Sequence, residues 1–434
     1  MRICVSGLWH LGAVTAACLA SANNEVVGFD EDEKVVENLR RGDPPLFEPG
    51  LAELTLQGLR KGTLSFTSQA AEAVSGCDIL WVAYDTPVDE NDVADTQYVA
   101  DRVRALLPLL PDGCLVLISS QLPVGSTRSL ADEFRKQNPK RHLHFGYSPE
   151  NLRLGNAIDV FTNPDRVIVG LEAGGDQAKV KAALEPFTSN VIFMSLESAE
   201  MTKHAINSFL AMSISFANEI AVICERVGAD ATEVARGLKS ESRIGPHAYV
   251  APGVAFSGGT LARDIGFLTE LGDKSSLNLA LLPSVRISND RHRDWPLKRA
   301  EHLLGGLGGR RISLLGLTYK PGTDTLRRSY AIELARALIA AGAEVAAFDP
   351  TVNANTKISL SMRIAASATE AVSGADAVII ATEWPEFRDL NWPSLVCSMR
   401  RPVVIDPKGI LPAETRRSGG ITYASVGVTS KSEI

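Results

Sequence analysis

The chain has 434 residues, 45% of them hydrophobic and 22% charged, which is typical of a globular protein long enough for two or three domains. Its formal net charge of −7 argues against a nucleic-acid partner, which would need a basic face, although backbone amides could still hold a small anion. The six cysteines are scattered, without a C-x-x-C pair or a cysteine–histidine cluster. We therefore expect reduced thiols in a cytoplasmic protein, with neither a disulfide framework nor a metal site.

The first twenty residues have one feature of a signal peptide, an early Arg2 followed by an apolar stretch. However, Gly7 and Gly12 interrupt that stretch, and a second short strand, Glu25–Phe29, follows it. A strand, a glycine turn, a helix and a strand form a βαβ unit, which a removable leader would not need. We expect no later segment to be long and apolar enough to cross a membrane.

Short apolar runs alternate with helical stretches from the N-terminus to about Met194. This alternation predicts a parallel sheet with helices on both faces. The predicted strands are Arg2–Ser6, Glu25–Phe29, Ile79–Val82, 114–119 and 167–169, and helical spacing is found at 13–22 and 68–74.

The middle of the chain begins with a long helical run, 197–227, which contains no Pro or Gly and ends at Gly228. Helical spacing continues with interruptions to about Gly305, and a second βα series opens at Arg311. The strands of that series are predicted at 312–315, Glu344–Phe348, 377–381 and Val403–Ile405, with a helix at 330–341.

These elements predict an α/β fold, with two Rossmann-like, doubly wound parallel-sheet domains joined by a central helical domain that carries the long connecting helix. The predicted domains are 1–195, 196–304 and 305–434, and the glycine-rich stretch 304–309 marks the second boundary. Residues 429–434 are expected to form a disordered polar tail.

Residues 7–12, G-L-W-H-L-G, lie where a dinucleotide-binding turn is expected, after the first strand and at the start of a helix. Asp30, at the end of the second strand, would accept hydrogen bonds from the ribose hydroxyls and repel a 2′-phosphate, which favours NAD over NADP. Trp9 occupies the position of the second glycine, so its ring must point away from the pyrophosphate or the cofactor must shift. The alternative is a tight structural turn in a nucleotide-independent α/β domain.

Further motifs recur in order along the whole chain. They are E-M-T-K-H-A-I-N-S-F-L at 200–210, I-S-F-A-N-E at 214–219, P-V-G at 123–125, P-E at 149–150, P-D-R at 164–166, R-I-G at 243–245, G-G at 258–259, R-D-I at 263–265, G-L-T-Y-K-P at 316–321, T-D-T-L-R-R-S at 323–329 and D-P at 349–350. In this order the set resembles the UDP-glucose/GDP-mannose dehydrogenase family.

That resemblance implies oxidation of the C6 alcohol of a nucleotide sugar to the carboxylate by two NAD molecules in succession. It also implies an N-terminal NAD domain, a central helical domain carrying a homodimer interface, and a C-terminal domain that holds the nucleotide, UDP being favoured. The site would lie between the domains. The cofactor-binding residues would be Gly7, Trp9, His10, Leu11, Gly12, Asp30, Thr86, Pro87, Gln121, Arg263 and Arg327. The substrate-binding residues would be Leu152, Arg153, Lys203, Asn207, Arg243, Phe256, Gly258 and Lys320, with Arg243 reaching across the dimer interface.

Lys203 and Asn207 are four residues apart and project from one helix face. In the family the matching residues stabilise the oxygen of the reacting carbon, as an ammonium and an amide can in a water-poor site. The alternative is a solvated helix face.

Asp264 matches an aspartate that works with an ordered water in general-base chemistry, or else it caps a helix starting near Ile265. Glu150 matches a glutamate near the substrate loop, or else it is a surface acid.

The family places its cysteine nucleophile in a loop of the type G-G-S-C-x-P-K-D, whereas residues 257–264 read S-G-G-T-L-A-R-D. Thr260 therefore stands at the nucleophile position. A thiol is partly ionised near neutral pH, but a threonine hydroxyl is far less acidic, and most of the six cysteines fall in predicted strands or helices. Two further departures are Gln121, in place of a hydroxyl that orients water, and Leu154, in place of a second acid.

These observations favour an NAD-dependent oxidoreductase that interconverts an alcohol and a carbonyl on a nucleotide sugar, giving an aldehyde, a ketone or an epimer. Oxidation to the acid through a thioester would be absent or very slow. Two alternatives remain: a full four-electron dehydrogenase in which another cysteine or water performs the second step, and a nucleotide-sugar-binding or regulatory protein without catalysis.

Overall fold

The structure is a computed structural model that describes residues 1–89, 94–150, 152–257, 259–353, 356–417 and 420–428. The chain divides into two compact units, Met1–Ala205 and Ile206–Ile434. The tail predicted at 429–434 and the substrate residue Gly258 lie outside the described residues.

The N-terminal unit is built on one eight-stranded sheet with the strand order β3-β2-β1-β4-β5-β6-β7-β8. The strands are β1 (Arg2–Ser6), β2 (Glu25–Phe29), β3 (Leu64–Thr67), β4 (Ile79–Val82), β5 (Leu115–Ile118), β6 (His144–Tyr147), β7 (Val167–Leu171) and β8 (Val191–Met194). The helices are α1 (His10–Ser21), α2 (Glu33–Arg40), α3 (Leu51–Lys61), α4 (Ala70–Ala73), α5 (Thr96–Leu106), α6 (Ser126–Gln137), α7 (Ala157–Thr162) and α8 (Gln177–Leu184), with a 3-10 turn at Leu107–Leu109.

The central strands β4 and β5 read I-L-W-V and L-V-L-I, and every residue in them is buried. Such continuous apolar runs are typical of parallel strands covered on both faces. The core is accordingly split into two apolar clusters, one on each side of the sheet. The first unit is therefore the predicted doubly wound layer of helix, sheet and helix.

One strand pair departs from the predicted parallel arrangement. Strands β6 and β7 run antiparallel, with Gly146 opposite Leu171 and Tyr147 opposite Gly170. A Cβ atom at Gly170 would lie 2.7 Å from the Cβ of Ala199, so the missing side chain lets the following long helix approach the sheet. Alternating strands and helices in a sequence do not reveal such a reversal, because a strand of either direction has the same composition.

The C-terminal unit begins within the long helix α9 (Leu196–Val227), which starts in the first unit and ends one residue before Gly228. Four further helices follow it: α10 (Ala231–Ser240), α11 (Gly259–Lys274), α12 (Leu281–Arg293) and α13 (Trp295–Leu304).

A second, parallel sheet then has the order β11-β10-β9-β12-β13-β14. Its strands are β9 (Arg311–Leu315), β10 (Glu344–Phe348), β11 (Arg363–Ile364), β12 (Ala377–Ile380), β13 (Val403–Ile405) and β14 (Thr422–Ala424). Its helices are α14 (Tyr330–Ala340), α15 (Ala368–Val372), α16 (Trp392–Cys397) and α17 (Ala413–Arg417), with a 3-10 turn at Pro385–Arg388. The predicted fold class, two Rossmann-like domains and a long connecting helix, is confirmed.

Helix α9 also corrects one expectation. By length and composition it could cross a membrane, with a mean hydropathy of 1.4 in a window of 18 residues, so the prediction that no later segment would qualify is wrong. In the structure 44% of that window is buried. One such helix among the described residues is weak evidence for a membrane span, because a core helix of a globular protein passes the same test.

Candidate active site

The turn between β1 and α1 has the geometry that a dinucleotide site requires. Gly7 has a φ of +85°, and a Cβ atom at Gly12 would lie 1.7 Å from the carbonyl oxygen of Gly7. Both positions therefore demand glycine. The amide of Leu8 donates a hydrogen bond of 2.8 Å to Asp30 Oδ2, which fixes the acid at the end of β2 beside the turn.

Trp9 stands at the position of the second glycine of the dinucleotide motif, but much of its side chain is exposed to solvent. It stands at the N-cap of α1 with 44% of its surface exposed, and its side chain makes no capping hydrogen bond. The first turn of α1, which contains His10, Leu11 and Gly12, also contains no acidic residue. Among the described residues no side chain accepts from the amides there, so they can hold an anion such as a pyrophosphate, while Asp30 can accept from ribose hydroxyls. These residues fit NAD.

Three more residues predicted to bind the cofactor lie past the carboxyl ends of β4 and β5, where ligands bind in open parallel sheets. The hydroxyl of Thr86 donates to the carbonyl oxygen of Gln121 at 2.7 Å, so the two loops are joined directly. The adjacent carbonyl of Pro87 accepts from the amide of Asp95 at 2.8 Å.

Lys203 lies in the first third of α9 and is only 7% exposed. Its ammonium donates a hydrogen bond to the backbone carbonyl oxygen of Glu150, just after β6. A solvated helix face does not fit such burial, and the contact with Glu150 involves its main chain rather than its carboxylate. A buried ammonium held by a backbone carbonyl is a donor that could also serve a substrate oxygen.

Two residues that the sequence analysis did not single out hold this part of α9 in place. The buried Glu200 carboxylate accepts from the amide of Gly125 at 2.6 Å and from the amide and hydroxyl of Thr127 at 2.9 and 2.7 Å. Burial raises the pKa of Glu200 above its ordinary value. His204 Nε2 lies 2.9 Å from the carbonyl oxygen of Leu122. Glu200 lies three residues before Lys203 and His204 one residue after it on the same helix. This proximity to Lys203 could have marked both residues in the sequence.

Asn207 and Asp264 meet in the C-terminal unit. Asn207 is 7% exposed, and its amide nitrogen donates to Oδ2 of Asp264, which is fully buried. Helix α11 begins at Gly259, so Asp264 lies in its second turn, and the alternative that Asp264 caps a helix near Ile265 is wrong. The Asn207 amide carries two N–H groups, so one remains for a substrate oxygen.

Thr260 lies in the first turn of α11 and is exposed, whereas Arg263 in the same turn region is half-buried. Within the described residues the Thr260 hydroxyl makes no hydrogen bond to a side chain that could remove its proton. The nearest acid along the helix, Asp264, is directed to Asn207.

Three polar side chains hold the segment that leads to Thr260. Asn289 receives the amide of Phe256 at 2.8 Å and donates to its carbonyl at 3.1 Å, and Asn218 receives the amide of Gly253 at 3.0 Å. His292 Nε2 lies 2.7 Å from the carbonyl of Gly253, and burial lowers the pKa of the His292 imidazole. The sequence analysis did not single out these three side chains, because they lie on helices α9 and α12, more than 30 residues from the backbone groups that they contact.

The remaining predicted site residues, which include Arg327 from the cofactor set, differ in their exposure. The side chain of Arg243 is 86% exposed and pairs with Glu241 at 2.9 Å. Arg153 and Arg327 are exposed, and Leu152 packs against the core of the first unit. Lys320 is half-buried, and its carbonyl accepts from the hydroxyl of Thr323 at 2.8 Å.

The fold and the glycine turn are those of a dinucleotide-dependent oxidoreductase, and comparison with known proteins gives the family. The NAD binding domain of the UDP-glucose/GDP-mannose dehydrogenase family matches residues 1–188, its central domain matches 197–291 and its UDP binding domain matches 313–413. A UDP-glucose 6-dehydrogenase of Pseudomonas aeruginosa is 33% identical over 442 residues, covering 98% of this chain and 97% of that protein.

Two solved structures share the fold over nearly their whole length. A UDP-glucose dehydrogenase from Pyrobaculum islandicum has a TM-score of 0.88 at 31% identity, covering 99% of this chain and 98% of the other. A UDP-D-ManNAc dehydrogenase from Pyrococcus horikoshii has a TM-score of 0.86 at 26% identity, covering 98% and 99%. The chain belongs to the UDP-glucose/GDP-mannose dehydrogenase family, so the resemblance and the choice of NAD as cofactor are confirmed.

Proposed function

We propose that this protein is an NAD-dependent oxidoreductase that removes one hydride from the CH–OH group of a UDP-sugar and stops at the carbonyl. The alcohol loses a hydride to NAD and a proton to the protein or water, so each turnover yields one carbonyl, one NADH and one proton. The family's UDP binding domain supports UDP as the nucleotide, and the names of the relatives make UDP-glucose the first sugar to test.

The parts needed for this first step are present. Bound NAD would supply the hydride acceptor. The Lys203 ammonium and the second N–H of the Asn207 amide would hold the substrate oxygen as it gains negative charge. Asp264, buried against Asn207, would take the alcohol proton through an ordered water, and Glu150 would shape the substrate side of the site.

The observation that carries the proposal is Thr260 at the position where the family motif has its cysteine. Going from aldehyde to acid through a covalent intermediate needs a nucleophile that is ionised near neutral pH. A threonine hydroxyl without a base as hydrogen-bond partner among the described residues cannot meet that need. Hydride removal from an alcohol does not require it.

The cysteines support the same conclusion. Burial raises the pKa of Cys4 and raises the pKa of Cys18 to about 12, and the pKa of Cys114 is raised by its hydrogen bond with Cys77 and by burial. The same contact lowers the pKa of Cys77, but this thiol is only 2% exposed. A buried thiol is a poor nucleophile for a sugar aldehyde.

In the C-terminal unit, Cys224 lies in an apolar cluster different from the one that contains Phe256 and Ile265 around the Thr260 loop. Cys397 is exposed at the end of α16. Neither position supports a substitute for the family's cysteine.

The decisive test counts NADH formed per UDP-glucose consumed, with mass spectrometry of the sugar product. The native protein should give one NADH, with the aldehyde trapped as an oxime, and Thr260→Val should give the same ratio. Thr260→Cys should raise the ratio toward two and yield the uronic acid. Two NADH from the native protein and from Thr260→Val would mean a full four-electron dehydrogenase, and binding of both ligands without any NADH would mean a binding protein.

We also propose a homodimer formed through α9, in a cytoplasmic protein without nucleic-acid or membrane partners. Phe209, Phe216 and Ile223 follow each other at seven-residue spacing on α9 and are 62%, 48% and 57% exposed. A cleft of about 1090 Å³ between α9, α12 and α13 adjoins this apolar stripe. A stripe of this kind is typical of a covered helix face. Phe216→Glu should convert a dimer to a monomer in light scattering, whereas Arg236→Glu, at a side chain on α10 that is 80% exposed, should not.

The three-part division at 195 and 304 remains our proposal for the domains. It fits the stretches that the family models match, and limited proteolysis near residues 304–309 would test its second boundary.

A further inference from the structure

A buried carboxylate, Glu48, lies near the dinucleotide turn and belongs to none of the motifs considered above. Glu48 is 4% exposed and sits between α2 and α3. Its Oε2 accepts from the ring of His10 at 2.8 Å and from the amide of Gly155 at 2.7 Å, and its Oε1 accepts from the amide of Ala157 at 2.7 Å. One carboxylate thus joins the start of α1, 38 residues before it, to two amides that lie 107 and 109 residues after it.

The two ends of this contact have different proposed tasks. His10 is the first residue of α1, whose amides would hold the cofactor pyrophosphate. Gly155 and Ala157 follow directly on Leu152 and Arg153, which are proposed to contact the sugar nucleotide. Cofactor and substrate segments therefore share one oxygen atom, Glu48 Oε2.

The chemistry of Glu48 makes the contact strong. A carboxylate removed from water must be satisfied by donors, and here the donors among the described residues are two backbone amides and one imidazole. The amides belong to the substrate segment, so the imidazole is the part that involves the cofactor turn. Replacing His10 removes that link while leaving the two amide contacts in place.

We infer that His10 and Glu48 are positioning residues that couple binding of the cofactor at the glycine turn to binding of the sugar nucleotide at residues 152–157. The inference rests on the proposed function. A cofactor that orders the start of α1 fixes His10, His10 fixes Glu48 Oε2, and Glu48 holds the amides that orient the substrate segment. By linkage, each ligand then strengthens the other by the same factor.

The test measures this factor with ligands that cannot touch each other through the reacting atoms. ADP-ribose occupies the glycine turn and the Asp30 region but lacks the nicotinamide. Calorimetric titration of UDP-glucose, with and without saturating ADP-ribose, gives the coupling. We expect about fivefold tighter UDP-glucose binding with ADP-ribose in the native protein, and less than about twofold in His10→Phe.

Three comparisons separate this role from a purely structural one. His10→Gln keeps an N–H donor toward Glu48 and should restore most of the coupling. His144→Phe changes a half-buried histidine at the start of β6 and should retain the native factor. A simple loss of stability would lower the melting temperature without changing the ratio of the two affinities.

The outcomes are distinct. If the native protein binds both ligands without coupling, or if His10→Phe keeps the native factor, the link is overturned while the proposed function stands. If the native protein binds neither UDP-glucose nor ADP-ribose, the proposed function fails and the link fails with it.

Discussion

The two sheets of this protein open with almost the same turn. After β1, Gly7 has a φ of +85° and the next amide donates to Asp30 at 2.8 Å. After β9, Gly316 has a φ of +92° and the next amide donates to Asp349 at 2.7 Å. In each case an acid at the end of the second strand fixes a glycine turn at the end of the first.

The acids nevertheless have different surroundings. Asp30 is half-buried, and its donors in the part of the chain that the structure describes are the backbone amides of Leu8 and Asp32. Asp349 is 1% exposed and also takes donors from Thr318, Thr351 and the indole of Trp384. Asp349 Oδ2 accepts from four donors and Oδ1 from two, which leaves no position for a ribose hydroxyl. Each oxygen of Asp30 accepts from a single amide among the described residues. We therefore expect the same turn to bind a ligand in the first unit and to stabilise the fold in the second.

The largest effect should come from the first turn itself. Gly12→Ala places a Cβ atom 1.7 Å from the carbonyl of Gly7, so the turn must open and NAD affinity should fall about a thousandfold, roughly 4 kcal/mol. Gly316→Ala should lower the melting temperature but leave the Kd for NAD within about twofold. Gly237→Ala, where the added atom meets open space, serves as control in calorimetric titration. Equal NAD affinity in all three variants would contradict the comparison.

The acid of the second turn should matter for stability. Asp349→Asn turns an NH₂ group toward a set of donors, which should cost about 3 kcal/mol of unfolding free energy without weakening NAD binding. Urea denaturation of this variant, beside the exposed Asp389→Asn, measures the effect. A loss no larger than that of Asp389→Asn would show that the network around Asp349 is dispensable.

The acid of the first turn should matter for the ligand. Asp30→Asn removes the charge that we expect to receive the ribose hydroxyls and to repel a 2′-phosphate. NAD should therefore bind about tenfold more weakly, or about 1.4 kcal/mol, and the preference for NAD over NADP should become smaller. Unfolding free energy should change by less than for Asp349→Asn. Titrations with both dinucleotides test this, with the exposed Asp43→Asn as reference. An unchanged NAD to NADP ratio would argue against contact with the ribose.

The smallest effect should be the change of stability with pH. Acidification should destabilise the fold through a histidine of the second unit and stabilise it through a glutamate of the first. Burial lowers the pKa of His292 below its ordinary 6.5, so the unfolded chain binds a proton there before the folded protein does. This stability is present above pH 6.5 and is lost as the pH falls below 6.5 toward the folded pKa. Glu200, whose pKa burial raises above 4.5, acts in the opposite sense, because the folded protein takes up its proton first on acidification.

Denaturation between pH 7 and pH 5.5 checks the sign for His292. His292→Gln keeps a donor toward Gly253 and should flatten the loss on acidification, whereas the exposed His247→Gln should follow the native curve. An unchanged slope in His292→Gln would exclude His292 as the group responsible.

Most of the framework could be predicted from the sequence, because it follows from local patterns. Strands β1, β2, β4, β10 and β13 have the predicted bounds, since each is a short apolar run flanked by turn residues. Strand β6, His-Phe-Gly-Tyr, was missed because a glycine and a histidine interrupt its apolar character. Helix α1 begins three residues earlier than expected, because the glycine turn leads directly into it.

The candidate site was predictable only in part. The family motif led to Lys203, Asn207 and Asp264, and the structure brings the last two together. Glu200 and His204, which hold α9 beside Lys203, could have been found from their spacing on the same helix. The residues that hold the segment before Thr260 and the segment 155–157 come from far along the chain, and no local pattern marks them. Asn289 lies 33 residues from its partner Phe256, and Glu48 lies 107 from Gly155. Such contacts depend on how the helices pack, which spacing alone does not encode.

The junction between β8 and α9 has a consequence for how this chain can change. A single residue, Ser195, separates the last residue of the strand from the first of the helix. Each residue added there would turn the helix about 100° around its axis. Glu200, Lys203 and His204 would then swing away from Gly125, Glu150 and Leu122 together. The one-residue link therefore sets the rotation of the helix about its axis, and with it the direction of the Lys203 ammonium. We expect substitutions to be tolerated there and insertions not to be.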